Sequence, residues 1–215
     1  MTSKQRPRTS AAKPQGRKLP LGLMLGGVFA VLLIVTIFLT LDSGTNAGAD
    51  EYGDPTVEGS LPLLLDSLDD PAIGTPAPEV TGADFDGATV SITNDGNAKL
   101  ILFVAHWCPF CQDEVPWVSD WLQATELPEN VDVYGVATSI DRSRENYPPS
   151  DWLEREGFTA PTLADDRVNS IGTAFGLPAY PYWVFVNADG TVAARISGGL
   201  SEADLDRIVA SLAAG

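Results

Sequence analysis

Short apolar runs alternate with longer mixed stretches in the second half of the chain. Residues 100–105 (LILFVA) are apolar throughout, and residues 131–137 (VDVYGVA) are mostly apolar. Runs of this kind are typical of parallel strands that are buried on both faces of a sheet. They predict two central strands, and the stretch between them is long enough for a helix.

The segments that follow predict two further helices. Residues 148–156 and 168–175 have a helical pattern, and Gly157 and Gly176 stand where a helix would stop. Because helical and extended segments alternate, the pattern predicts an α/β domain in which helices cover both faces of a sheet.

Two hairpins are predicted, one on each side of these elements. The β-rich runs 182–186 and 191–196 flank Asn187-Ala188-Asp189-Gly190, a Gly-containing loop of hairpin length. Residues 80–92, with Asp86-Gly87 inside, predict an earlier hairpin.

A terminal helix is predicted after Ser201, which can cap it. Glu202 and Asp204 lie in its first turn, where acidic residues are favourable. The apolar positions recur at helical spacing and form one face: Leu205, Ile208, Val209 and Leu212.

The first 41 residues differ from the rest in hydropathy and charge. Residues 1–18 form a basic tail, and residues 19–41 are uncharged and about as long as a helix that crosses a bilayer. With all 29 acidic residues following this run, the positive-inside rule predicts a single-pass anchor in the cell membrane with a cytoplasmic N-terminus. The alternative is a cleaved signal peptide, because Ala47-Gly48-Ala49 is an A-x-A-like site.

The remainder divides into an acidic extracytoplasmic linker, residues 42–73, and one domain, residues 74–215. The linker is rich in Asp, Gly and Pro, and its LPLLLDSL segment (residues 61–68) predicts a short amphipathic turn lying on the domain.

A formal net charge of −16 argues against nucleic acid as a partner. We expect a monomer with neither metal nor organic cofactor.

Both cysteines and the only histidine lie in residues 103–117 (FVAHWCPFCQDEVPW). A disulfide across C-P-F-C closes a very short loop and would contribute only about 2 kcal/mol in the chain-entropy interpretation. Zinc usually takes four ligands, and Cys108, Cys111 and His106 have no further C-x-x-C or distant histidine to complete a set. A reactive pair is therefore the favoured interpretation.

The spacing of the pair has a physical reason. At the start of a helix, Cys108 would lie at the exposed N-terminus, where free N–H groups and the helix dipole stabilise a thiolate, and Cys111 would lie one turn inside. Pro109 suits the first helical turn. His106 is expected to be a surface residue beside the site, with a lowered pKa of Cys108 as the alternative role for its charge.

The string Trp107-Cys108-Pro109-Phe110-Cys111-Gln112-Asp113-Glu114-Val115-Pro116 resembles the W-C-x-x-C-x-x-E-x-P signature of the TlpA/ResA-like thiol–disulfide oxidoreductases. These are membrane-anchored or exported proteins with a thioredoxin-like fold. An entry segment similar to the family's G-x-x-A-P precedes the domain at residues 74–78. Two positions differ from the usual pattern, His106 and Val80.

The resemblance also implies a substrate-binding surface and a mechanism. Pro181 fits the family's cis-proline opposite the disulfide, which leaves the backbone of Tyr180 available to an extended substrate; the surface would comprise Trp107, Pro109, Phe110, Tyr180 and Pro181. Cys108 would attack a protein disulfide and Cys111 would resolve the mixed disulfide. Glu114 is expected either to point into water or to take the proton of Cys111, and the resemblance favours the second role.

Several functional alternatives remain at this point. The favoured function is a reductant of the cytochrome c maturation type that exchanges with protein thiols or disulfides and with a membrane redox partner, although related proteins with C-P-x-C centres act as oxidants. A thiol peroxidase is a second possibility, but the Thr or Ser of peroxiredoxins is replaced by Ala105. A third is a binding module without enzymatic activity that uses the Tyr180 region.

Overall fold

The computed structural model describes residues 51–215. The predicted membrane helix, the basic tail and the alternative cleavage site lie outside these residues. Within residues 51–215, no helix combines the length and the hydropathy needed to cross a membrane. In chain order, the elements are β1 (Thr56–Glu58), β2 (Glu79–Ala83), β3 (Thr89–Ile92), β4 (Ala98–Val104), α1 (Pro109–Ala124), β5 (Val131–Ala137), α2 (Pro149–Arg155), β6 (Thr162–Ala164), α3 (Ser170–Ala174), β7 (Tyr182–Val186), β8 (Val192–Ser197) and α4 (Glu202–Ala214).

A five-stranded mixed sheet forms the centre, in the order β6-β5-β4-β7-β8. Strands β4, β5 and β6 are parallel, whereas β7 runs antiparallel to β4 and β8 antiparallel to β7. Every residue of β4 and β7 is buried, including Lys99 of β4, which pairs with Asp95; their otherwise apolar sequences are typical of strands covered on both faces. A smaller antiparallel sheet contains β1, β2 and β3.

Alternate residues of β4 face two separate cores. Leu100 and Leu102 pack in a cluster with residues of α1, α2 and α4. Ile101 and Phe103 pack in a second cluster with α3 and the small sheet. The prediction of an α/β domain with both faces covered is confirmed, and the second face is covered by the small sheet as well as by a helix.

Most predicted elements agree with the structure to within one or two residues. Strands β5 and β7 have the predicted bounds, and Ser201 caps α4 by accepting a hydrogen bond from the Asp204 N–H. Strands β1 and β6 were not predicted, because three residues are too few for a recognisable period.

The predicted linker agrees with expectation in one feature and departs from it in others. Leu61 and Leu64 are buried against the domain and Leu65 is exposed, as expected of an amphipathic segment lying on it. Strand β1, which pairs with β2, was not expected there. Asp70 forms a buried ion pair with Arg195 of β8. Residues 51–73 therefore belong to the same compact unit as the predicted domain, which begins earlier than residue 74.

Candidate active site

The two cysteines lie at the start of α1, where the sequence placed them. Cys108 is the N-cap residue with extended backbone, and Pro109 occupies the first helical turn. Both thiols are free; Cys108 is 7% exposed and Cys111 is fully buried. Cys108 is more enclosed than its terminal position suggested, because Trp107 and Tyr180 pack against the same cluster. Phe110, by contrast, is 70% exposed.

Pro181 faces the pair from the loop before β7. The Tyr180–Pro181 peptide bond is cis, which confirms the predicted isomer. The Cys108 thiol donates to the carbonyl oxygen of Tyr180 over an Sγ–O distance of 3.8 Å. The structure thus brings Cys108, Tyr180 and Pro181 together.

Two aromatic side chains beside Cys108 are fixed by one residue that the sequence did not single out. The carbonyl of Ser139 accepts from Trp107 Nε1 at 2.7 Å, and its hydroxyl lies 2.5 Å from the Tyr180 hydroxyl. Ser139 has a φ of 49°, and its own N–H donates to Asn169 Oδ1. The Trp107 and Tyr180 rings meet edge to face, with centroids 6.0 Å apart. No local sequence signal marks Ser139, because its partners lie 30 or more residues away.

Cys111 lies in surroundings that oppose its ionisation. Burial strongly raises the pKa of its thiol, and the negative charges of Cys108 and Glu114 act in the same direction. A resolving cysteine must attack as a thiolate. The buried thiol therefore needs a nearby group that can take its proton.

Glu114 does not point into water. It is 4% exposed, and its Oε1 accepts from Trp183 Nε1 and the Leu200 N–H, each at 3.0 Å. Its Oε2 accepts from Trp117 Nε1 at 3.2 Å. All three donors are neutral. The solvated alternative is thus excluded, while the role as a proton acceptor stays a prediction.

The backbone reaches Glu114 because residue 199 is glycine. A Cβ added to Gly199 would lie 2.7 Å from Glu114 Oε2. Trp117 and Trp183, two of the donors to Glu114, were not predicted as site residues; their indole N–H groups were the available signal, since a buried indole usually needs an acceptor.

The expectation of a surface histidine is wrong. His106 is 1% exposed, with Nδ1 2.7 Å from the Glu145 carbonyl and Nε2 accepting from the Asp141 N–H at 3.1 Å. These partners require a neutral ring with its proton on Nδ1. Burial also holds the pKa of His106 below its ordinary value. The imidazole therefore fixes a loop and supplies no positive charge to Cys108.

Within residues 51–215, no cluster of three or more His, Cys, Asp or Glu side chains is arranged to hold a metal ion. The chemistry available at the start of α1 is that of two thiols and a buried carboxylate.

Comparison with known proteins identifies the family. The Redoxin family pattern matches residues 72–211. The chain belongs to the Redoxin family. The thiol–disulfide oxidoreductase ResA of Geobacillus thermodenitrificans is 24% identical over 142 residues, which cover 66% of this chain and 78% of ResA. The thiol:disulfide interchange protein HelX of Rhodobacter capsulatus is 26% identical over 195 residues, covering 87% and 96% of the two chains.

A solved structure supports the same assignment within the Redoxin family. The secreted Mycobacterium tuberculosis disulfide oxidoreductase homologous to E. coli DsbE superposes with a TM-score of 0.52 at 26% identity. The match covers 61% of this chain and 95% of that protein. The chain has a thioredoxin-like fold and is a thiol–disulfide oxidoreductase of the ResA, DsbE and HelX type.

Proposed function

We propose that this Redoxin protein reduces protein disulfides outside the cytoplasm, through Cys108 and Cys111, while tethered to the cell membrane. The observation that carries the proposal is the arrangement of the two thiols. Cys108 faces the cis-Pro181 segment at 3.8 Å from the Tyr180 carbonyl, and Cys111 lies fully buried behind it. A substrate can reach the first sulfur only, so the two cysteines have different roles.

The reaction is a two-electron exchange in two steps. The Cys108 thiolate attacks one sulfur of a substrate disulfide, the substrate S–S bond breaks, and one substrate cysteine leaves as a thiolate that takes up a proton. Cys111 then loses its proton and attacks Cys108 Sγ, so the mixed disulfide breaks. The second substrate cysteine leaves as a thiol. The substrate is then reduced by two electrons, and the enzyme is oxidised with a disulfide between Cys108 and Cys111. A dithiol partner, which we place at the membrane, restores the reduced enzyme by the reverse steps.

Glu114 is the proposed acceptor of the Cys111 proton. It lies in the next turn of α1 after Cys111, and its charge acts on the Cys111 thiol. Its neutral donors hold the carboxylate in place without pairing it with a cation. A buried base near a buried thiol removes the cost of exposing that thiol to solvent for ionisation.

The proposed direction, reduction as in cytochrome c maturation, has an electrostatic argument. An oxidant of this fold is strong when its reduced form is stabilised. Here the carboxylate of Glu114 opposes a thiolate on Cys111, and His106 is neutral and turned to the Asp141 and Glu145 backbone. Neither feature stabilises a thiolate, so neither supplies the stabilised reduced form that makes an oxidant strong.

The reduction potential of the domain tests the direction. We expect a value near that of thioredoxin, about −270 mV, measured by equilibration with glutathione or dithiothreitol buffers. A value near that of DsbA, about −120 mV, would make the protein an oxidant.

The membrane anchor rests on residues 19–41 and their flanking charges. Full-length protein should stay in the membrane fraction after alkaline washing, and protease added outside the cytoplasm should remove the domain. Release of a soluble protein that begins near Asp50 would support the cleaved signal peptide instead.

A further inference from the structure

A loop beside the active site is held at both ends by one side chain. The two ring nitrogens of His106 bind the backbone at Asp141 and at Glu145. The backbone oxygen of His106 also accepts from Asn146 Nδ2 at 3.3 Å. Because His106 is buried and directly precedes Trp107, this clamp fixes residues 141–146 relative to the catalytic motif.

Within the clamped loop, Arg144 lies over the ring of Trp107. Its guanidinium carbon is 4.6 Å from the ring centroid, a cation–π distance. The ring is itself fixed by its bond to the Ser139 carbonyl and by its contact with Tyr180. Arg144 is exposed, and Trp107 is adjacent to Cys108 in the chain. A positive charge is thus held at the rim of the site where the substrate must bind.

Basic residues are few in the domain, and one of them, Arg142, lies on the same loop over the ring of Tyr147. Only seven of the 13 Lys and Arg residues fall within residues 51–215, where nearly all the acidic residues also lie. Lys99 and Arg195 are buried with carboxylate partners. Hydrogen bonds from the Ser143 hydroxyl and N–H to Oδ1 lower the pKa of Asp141 on the same loop, and the charge of Arg144 acts in the same direction.

Stacking on an indole engages the face of a guanidinium and does not use its in-plane N–H donors. Those donors can form a bidentate pair of hydrogen bonds with the two oxygens of a carboxylate. We propose that Arg144, supported by Trp107, docks an Asp or Glu of the substrate that flanks its reacting cysteine, since Trp107 directly precedes Cys108 in the chain. The inference rests on the proposed exchange function and names its preferred substrate: a disulfide flanked by acidic residues. Phe110, exposed on the other side of Cys108, suits an apolar neighbour of that cysteine.

The test compares two peptide disulfides that differ only in the residues flanking the cysteine, Glu in one and Gln in the other. We expect the wild-type domain to have the higher kcat/KM for the Glu peptide, and Arg144→Gln to lower the Glu-to-Gln ratio about three- to fivefold, the size of an exposed ion pair. Arg144→Glu should lower the ratio further, and high salt should reduce the wild-type preference. The matched control is Arg207→Gln, which removes an equal charge from α4, where Arg207 pairs with Asp204; this variant should keep the wild-type ratio.

A second measurement separates failure of this inference from failure of the proposed function. The rates at which Cys108 reacts with anionic iodoacetate and neutral iodoacetamide require no enzymatic turnover. The iodoacetate-to-iodoacetamide ratio should fall in Arg144→Gln and not in Arg207→Gln. If the wild-type domain reduces both peptides but Arg144→Gln leaves both ratios unchanged, the docking role of Arg144 is wrong and the exchange function stands. If the domain reduces neither peptide while the alkylation ratio still responds, the proposed exchange function is wrong.

Discussion

Three carboxylates are withdrawn from water in residues 51–215, those of Asp70, Glu114 and Asp165, and the partners of the first two differ in charge. Asp70 binds the buried guanidinium of Arg195 through both of its oxygens, at 2.8 and 2.5 Å. Glu114 accepts only from two indole N–H groups and one backbone N–H. One is a fully compensated ion pair, whereas the other is a carboxylate solvated by neutral dipoles.

The difference indicates which carboxylate can take part in proton transfer. The hydrogen bonds from Arg195 hold the pKa of Asp70 below its usual range, so Asp70 stays charged and serves to attach the N-terminal segment to β8. Arg195 reinforces this attachment by donating to the Pro62 carbonyl at 2.8 Å. Glu114 lies instead beside a thiol that must lose a proton, and its charge affects that thiol. We therefore assign stability to the first carboxylate and chemistry to the second.

Breaking the ion pair between Asp70 and Arg195 should have the largest effect. Asp70→Asn leaves Arg195 buried without its anion, which typically costs about 3–5 kcal/mol. Chemical denaturation of the purified domain measures this loss, and the protein that remains folded should resolve mixed disulfides at the wild-type rate. Asp204→Asn, which removes the carboxylate of an exposed pair, is the control and should leave the free energy of unfolding nearly unchanged. Equal losses of unfolding free energy in Asp70→Asn and Asp204→Asn would show that the buried ion pair contributes no more than the exposed one, and would contradict the structural role assigned to Asp70.

The second prediction reverses the pattern, with a large effect on rate and a smaller one on stability. Glu114→Gln retains an oxygen that can accept from Trp183 and Leu200 but removes the basicity, so resolution of a mixed disulfide should slow by about tenfold or more. Trp117 Nε1 would lose its acceptor, so stability should fall by about 1–3 kcal/mol, which is less than the loss expected for Asp70→Asn. Stopped-flow kinetics of the pre-formed mixed disulfide measures the rate.

Asp113→Asn is the matched control for Glu114→Gln, since Asp113 is exposed on the same helix and is also acidic. It should resolve at the wild-type rate. Unchanged resolution in Glu114→Gln across pH 6 to 9, which brackets the titration of a thiol, would remove Glu114 from the mechanism and leave it, like Asp70, a structural carboxylate.

The third and smallest predicted effect concerns pH. Burial holds the pKa of His106 below its ordinary value of about 6.5, although Asp141 and Glu51 favour the charged ring; Arg144 opposes it. Below pH 6.5 the unfolded chain therefore binds a proton that the folded domain does not. The free energy of unfolding should fall as the pH drops from about 6.5 through the folded pKa, and it should be fully retained above pH 6.5.

Because His106 is the only histidine of the chain, a substitution can isolate this contribution. Denaturation curves of wild-type and His106→Gln domains between pH 5 and 7, the range in which a histidine titrates, should differ in slope, with the variant flatter. Parallel slopes would show that His106 protonates equally in the folded and unfolded states.

The sequence predicted those features that depend on local pattern. Mostly apolar runs predicted the bounds of β5 and β7, and the C-P-F-C motif located the start of α1. The resemblance to the TlpA/ResA-like proteins supplied the cis bond before Pro181 and the burial of Glu114, which spacing alone left undecided.

The sequence could not show features that depend on distant partners. Asp70 and Arg195 are 125 positions apart, so nothing near either residue marks the pair, and the segment around Asp70 resembles an acidic linker. His106 contacts backbone groups 35 and 39 residues away. Every residue carries the same backbone groups, so the amino-acid sequence does not indicate which of them a buried histidine will bind. Ser139 hydrogen-bonds to both Trp107 and Tyr180. These partners are also distant in the chain, so no motif around Ser139 marks its position in the site.

The central claim is that Cys108 attacks the substrate and Cys111 resolves, and trapping tests it most directly. Cys111→Ser and Cys108→Ser variants are incubated with a peptide disulfide, and the mixed disulfides are quantified by mass spectrometry without reductant. We predict that Cys111→Ser accumulates a stable mixed disulfide through Cys108, whereas Cys108→Ser forms almost none because Cys111 is fully buried. Accumulation through Cys111 in the Cys108→Ser variant, with none in Cys111→Ser, would contradict the assignment of the two sulfurs.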